Sequence, residues 1–203
     1  MEESKLPLVQ HFSSLRERPK WGLKLVLAIV VMTLSAVIGV FAIDYKELYN
    51  DAGMTGDQLE QAKMFGQIGG AVGGVFSAII GIGITFVIFL LISKIMKSDA
   101  SGKSIFSATL SYKLITGVIG FIVILIQWLA GLSPTDYVIT SLNIFDKGNN
   151  ILGVFNLQTF IGGYIFGVML FATNRFSKKS SIIWTIAYLI VSIGFALLGA
   201  SFS

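Results

Sequence analysis

The chain has 203 residues, 54% hydrophobic and only 13% charged, with a formal net charge of +4, where soluble domains carry roughly 25% charged residues. Its charges are segregated: the runs Leu25 to Ile43, Met64 to Ser93, Leu114 to Thr135, Gly148 to Asn174 and Ser180 to Ser203 contain none. This excludes a water-facing globular domain, and the absence of cysteine excludes a disulfide framework, a Cys-ligated metal site and a thiol nucleophile.

About 20 apolar residues at 1.5 Å rise cross a hydrocarbon core roughly 30 Å thick. Lipid also obliges the backbone to satisfy its own hydrogen bonds, so long apolar runs read as helices. The alternating ten-residue pattern of a membrane β-barrel is absent from the sequence. The predicted fold is an all-α polytopic membrane protein of five transmembrane helices, with spans at about 25–43, 64–93, 114–135, 154–174 and 180–201.

In chain order, residues 1–24 form a cytoplasmic segment with an interfacial helix around Phe12 and Leu15. Pro19 suits a helix start and Trp21 an interfacial anchor. The first apolar run exceeds a signal-peptide core and lacks an A-x-A-like site before Asp44, so it reads as a retained anchor. Ile105, Phe106, Thr109 and Leu110 share a helical face, which fits either a short interfacial helix over 104–113 or a longer third helix. Val138, Ile139, Leu142 and Phe145 suggest an amphipathic helix on the outer surface. The fourth run opens with Gly148, Asn149 and Asn150, which places its spanning core from about Val154.

Orientation follows from the cations near helix ends. The N-terminal segment, second loop and fourth loop together hold 12 Lys and Arg against 4 acids, a net of +8; the first and third loops hold 3 against 7, a net of −4. The N-terminus is therefore expected in the cytoplasm and the C-terminus outside. The same distribution accounts for the sequence pI of about 9.3 without a nucleic-acid partner.

The second run carries a ladder of small residues. Gly66, Gly70, Gly74 and Ala78 form one row at i, i+4 steps, and Gly69, Gly73, Ser77 and Gly81 form another. Small residues let two helix backbones approach closely in lipid, where no hydrophobic effect drives helices together. This helix is expected to be a packing hub, toward its own bundle or toward a partner's helix, with its glycine-rich outer half locally irregular.

Catalytic, cofactor and metal chemistry are not expected. The five runs contain no ionisable residue, and His11, the sole histidine, precedes the first, so neither a buried Ser-His dyad nor a histidine metal site can form. Ser101 to Ser104 lack the glycine spacing of a phosphate-binding loop. The candidate intramembrane polar contacts are Gln127, between Ile126 and Trp128, and Gln158.

Arg16-Glu17-Arg18-Pro19-Lys20 before the first span, Gly102 to Tyr112 with Phe106, Leu110 and Tyr112, and Ser141-Leu142-Asn143-Ile144-Phe145 before the fourth resemble the bacterial branch of the Yip family of Ypt-interacting membrane proteins. The resemblance implies a five-span protein of a bacterial cytoplasmic membrane associated with other membrane proteins, an ABC-type exporter among them, and with envelope stress or toxin defence. Eukaryotic members are implied to bind Rab-type GTPases through a longer N-terminal domain with an Asp-Leu-Tyr-Gly-Pro element, which this sequence does not contain.

Two function classes follow. One is a non-enzymatic accessory or scaffold subunit that meets its partners through the glycine rows. The other is a small oligomeric channel or transporter for a neutral or apolar solute, lined by Gln127, Gln158 and hydroxyl residues. The lipid bilayer is a partner of either, and a homo-oligomer is compatible with both. The absence of cysteine gives a clean test of threading: Thr55→Cys and Ser101→Cys should react with a membrane-impermeant maleimide from opposite sides, and labelling from one side would overturn it.

Overall fold

The computed structural model describes residues 6–49 and 52–202. The helices are α1 (Val9–Glu17), α2 (Gly22–Ala42), α3 (Tyr45–Leu48), α4 (Asp57–Ile95), α5 (Gly102–Leu129), α6 (Asn150–Val154), α7 (Leu157–Ala172) and α8 (Lys178–Ala200), with a 3-10 turn at Leu142–Phe145. Among the described residues α2, α4, α5 and α8 are long and apolar enough to cross a membrane, and α7 is a shorter apolar helix.

α4 runs for 39 residues, about 58 Å at 1.5 Å per residue, straight through the glycine ladder; the irregular outer half expected there does not occur. In apolar surroundings a broken helical bond finds no water to replace it, which outweighs the weak helix propensity of glycine. Both α4 and α5 end in Schellman turns. At α5, Leu132 N–H donates to Gln127 O and Gly131 N–H to Trp128 O, each at 3.0 Å, and Gly131 supplies the left-handed backbone (φ 69°) that the turn requires. At α4, Ser98 N–H donates to Ser93 O at 2.8 Å and Lys97 N–H to Lys94 O at 3.0 Å.

The chain from Arg16 to Asp44 lies parallel to Ser104 to Ser133 in a nearly constant register. Ser104 Oγ donates to Arg16 O at 2.9 Å and Ser107 Oγ to Lys20 O at 2.8 Å, separations of 88 and 87 residues. Further along, Lys24 Nζ donates to Ser111 Oγ at 2.6 Å across 87 residues, and Asp44 N–H to Ser133 Oγ at 3.1 Å across 89. α4 returns antiparallel against α2, and α7 and α8 form a second antiparallel pair.

Residues 104 to 112 are part of α5 itself, and all but Phe106 are buried. The longer-helix reading is therefore the observed one, and the interfacial helix is not. The hydroxyls that make this stretch look polar are spent on backbone carbonyls or Lys24 of the neighbouring segment, as above, or on their own helix, Thr109 Oγ1 donating to Ile105 O at 2.9 Å. The main core lies at this cation-rich end, where Phe12, Phe89, Tyr112, Phe166, Met169 and Leu170 pack together. α1 covers it, burying Val9, Phe12 and Leu15.

Arg16 ties this end together. Its guanidinium donates to Thr173 O at 2.7 Å and pairs with Asp99 at 2.6 Å, while Thr173 Oγ1 donates to Phe12 O at 3.0 Å. Ser98 Oγ donates to Asn174 O at 3.0 Å, and the Asn174 amide donates to Ser93 Oγ. The Arg16 side chain is 11% exposed and the Asp99 carboxylate 79%; hydrogen bonding from Arg16 holds that carboxyl below its ordinary range. A buried hydrogen bond to a charged group contributes about 1.5–3 kcal/mol, whereas an exposed ion pair contributes little. Arg16→Ala should therefore lower stability by about 2 kcal/mol in a detergent unfolding titration, with Asp99→Asn nearly neutral. Equal losses from the two would show the ion pair, not the Thr173 contact, to be the stronger tie.

Candidate functional site

The two small-residue rows of α4 meet different surroundings. Gly66, Gly70 and Gly74 face inward: a Cβ at Gly66 would stand 2.8 Å from the Tyr45 ring, at Gly70 it would overlap Val40, and at Gly74 it would overlap Ala36. Ala78, the next member of this row, is buried. These absent side chains let α2 lie against the α4 backbone. Gly69 and Gly73 have open space where a Cβ would be, and Ser77 is exposed beside them. At Gly81 the neighbour is Lys113 Nζ, 3.8 Å from the Cβ position. A strip of small residues, Gly69, Gly73 and Ser77, thus runs along the exposed face of α4, flanked by exposed Phe65, Phe76 and Ile80.

On α7, Gly163 and Gly167 serve the α8 contact. A Cβ at Gly163 would stand 2.9 Å from Leu189, and one at Gly167 would overlap the Thr185 hydroxyl.

Gln127 and Gln158 both hydrogen-bond the loop between α5 and α7. Gln127 is 2% exposed; its Nε2 donates to Tyr137 O at 2.7 Å and its Oε1 accepts from Ile139 N–H at 3.4 Å. It stands two residues before the end of α5, which closes at Leu129, before the expected limit at 135. Gln158 Nε2 donates to Thr140 Oγ1 at 3.0 Å, and Thr140 Oγ1 donates to Asn156 Oδ1 at 2.9 Å.

These contacts fold the loop back into the bundle. Gln158 Oε1 lies 3.4 Å from the Cβ position of Gly120, nine residues before the end of α5, or about 14 Å down its axis. α7 therefore starts within the bundle, and its 16 residues, about 24 Å, are shorter than the full span from 154 that the sequence suggested. The amphipathic helix expected over 138–145 is replaced by turns and the 3-10 turn. Asn143 holds them, its Oδ1 accepting from Val138 N–H at 2.9 Å and from Ser141 Oγ at 2.6 Å. Non-helical backbone is tolerated at membrane depth only when protein groups satisfy it, and here side-chain amides and hydroxyls do so.

At the acid-rich end a cleft of about 580 Å³ is lined by Asp44, Glu60, Lys63, Asp136 and Lys147 among others. Lys147 pairs with Glu47 at 2.8 Å and Asp136 at 3.1 Å, and these carboxylates raise its pKa above the ordinary lysine value. Of the charged residues in its lining, Lys147 and Asp136 pair with each other.

Sequence reasoning missed Lys113. It borders a charge-free run, yet the early start of α5 puts it eleven residues inside a continuous helix, lining a cavity of about 340 Å³ with Thr85, Phe166, Trp184 and Tyr188. The readable signal was the hydroxyl-rich helical stretch before it, once this is continued into the span.

A protein-family model described as the Yip1 domain matches residues 7–200. A curated relative, the membrane protein YknW of Bacillus subtilis (strain 168), is 27% identical over 204 residues, covering 92% of this chain and 82% of the relative. No solved structure matches. The family match runs from just before α1 to the end of α8, taking in the buried start of α5 and the folded-back loop alike, and the chain is a multi-pass integral membrane protein of the Yip1 domain family.

Proposed function

We propose that the protein is a non-enzymatic accessory or scaffold subunit that docks a helix of another membrane protein along the open row Gly69, Gly73 and Ser77. The observation that carries this reading is the difference between the two rows of α4. One is filled by α2 and Tyr45, and its neighbour, equally small, has open space at Gly69 and Gly73. Exposed apolar surface is ordinary for a membrane helix, because lipid tails cover it; a channel of missing side chains is where a second helix gains close backbone contact. The family resemblance supplies a partner class, an ABC-type exporter, and a setting in envelope stress or toxin defence.

The other reading, a small channel or transporter, would require Gln127 and Gln158 to release Tyr137, Ile139 and Thr140 before they could face a solute. Neither amide is in the lining of the acid-rich cleft or of the Lys113 cavity.

The rows allow a paired test. Gly73→Leu enters open space and should leave the melting temperature of the purified protein unchanged. It should also reduce recovery of a stoichiometric partner in mild-detergent affinity purification by about tenfold. Gly74→Leu must displace Ala36 and should lower the melting temperature by several degrees. A Gly73→Leu protein that retains its full complement of partners, or a wild-type protein that captures none after cross-linking in intact membranes, would sink the proposal. Recovery of a second copy of this chain alone would identify self-association in place of an exporter.

A further inference from the structure

A second groove, on the opposite pair of helices, lies between α7 and α8 at the cation-rich end. Its volume is about 300 Å³, within the range of small ligand sites. Val168 and Phe171 form one wall, Ile182 and Ile186 the other, and both isoleucines are more than half exposed. Gly167 forms part of the floor, where the missing side chain brings Thr185 against the α7 backbone. Tyr164, whose hydroxyl donates to Pro7 O at 3.1 Å, lines the far end.

The polar groups of this groove sit at one end. Lys178 lines its mouth, forms no ion pair among the described residues, and is followed by Lys179. Both belong to the first turn of α8, whose cap Ser177 accepts from Ser180 N–H at 3.1 Å. The preceding first-turn amides have no acceptor within the helix and form, with the positive end of the helix dipole, a site favourable to anions. One turn further in, Ser181 is 5% exposed and its Oγ has no hydrogen-bond partner. A buried hydroxyl without a partner is costly, and Ser181 is one of the residues lining the groove, between Lys178 and the two isoleucines in sequence.

We propose that this groove binds one anionic phospholipid from the leaflet at the cation-rich face. The phosphate sits at Lys178 and the first turn of α8, and an ester oxygen accepts from Ser181 Oγ. One acyl chain lies over Gly167 and Val168 toward Ile186. The order of groups along α8, cation, then hydroxyl, then branched apolar side chains, matches the order of phosphate, ester and chain in a lipid entering from that face. Ile186 is eight residues beyond Lys178, about 12 Å, so the chain is gripped over its first part and leaves the groove for the bilayer. Lysines near a membrane surface each favour anionic lipid by about fivefold.

Native mass spectrometry of the full-length protein in mild detergent, titrated with dioleoyl phosphatidylglycerol or dioleoyl phosphatidylcholine, tests this. Phosphatidylglycerol should bind at least fivefold more tightly. Lys178→Gln should remove about fivefold of that affinity while leaving phosphatidylcholine unchanged. Ser181→Ala should weaken both lipids, since both carry the ester. Ile186→Trp, which fills the groove, should abolish retention of both, with Ile182→Trp as the second variant if the first shifts the melting temperature. Equal affinity for the two lipids, or phosphatidylglycerol affinity unchanged in Lys178→Gln and in the tryptophan variants, would overturn the site. Displacement of the lipid by millimolar inorganic phosphate would reduce it to an anion site and overturn the lipid reading, as would a dimer mass that disappears in Ile186→Trp.

Discussion

The structure depends on the parallel alignment of residues 16–44 with residues 104–133. Four contacts with separations of 87 to 89 residues hold it from end to end. Each uses a short hydroxyl against a backbone group or a lysine, so the two segments can approach without leaving polar atoms unsatisfied, which is the governing constraint where water is absent. With α2 and α5 fixed as one slab, α4 has a defined surface to return along, and its inward glycines meet Val40 and Ala36 of α2. The aromatic contacts Phe86 to Phe106 and Phe89 to Tyr112, with ring centroids 5.1 and 5.3 Å apart, then fix the cation-rich end of α4 against α5.

This alignment also decides what the last two helices can do. The core at the cation-rich end takes Phe166, Met169 and Leu170 from α7, which sets the height of that helix. From there its 16 residues cannot reach the acid-rich end, and the chain before it must come down to meet it. The cost of placing irregular backbone inside the bundle is met by the amides of Gln127, Asn143, Asn156 and Gln158 and the hydroxyls of Thr140 and Ser141. Gln127 and Gln158, the candidate intramembrane polar contacts, are among the groups that hydrogen-bond the folded-back loop.

Charge segregation made the membrane class and the helical runs legible, because an ionised group in lipid is expensive enough to be excluded from nearly every span. The same rule hid the true extent of α5. Ser104, Ser107, Thr109 and Ser111 read as an interfacial stretch, since a sequence does not reveal which carbonyls will accept from them, and Lys113 then fell at a boundary instead of inside a helix. The role of Arg16 was equally unreadable: it counted as one cation among twelve, but its partners, Thr173 O and Asp99, lie far along the chain. The glycine rows were visible as spacing, whereas which row faces inward depends on where α2 sits, and that follows from the register with α5.

The uneven use of α4 bears on how a membrane protein displays a binding surface. In water, an exposed apolar stripe announces itself by the cost of hydrating it. In lipid that cost is absent, and Phe65, Ile79 or Ile84 on the outside of α4 carry no message. What distinguishes one lipid-facing surface from another is how well mobile acyl chains fill it. A channel with no side chains at Gly69 and Gly73 is filled poorly, because a chain that conforms to it loses freedom and still leaves dispersion contacts unmade. A rigid helix with its own small residues makes those contacts at lower entropic cost. The groove between α7 and α8 differs in kind, since its cationic mouth and unpartnered serine add directional groups that suit a lipid better than a helix. The two faces of the bundle thus differ in the chemistry they present, close backbone approach on one and a graded polar-to-apolar slot on the other.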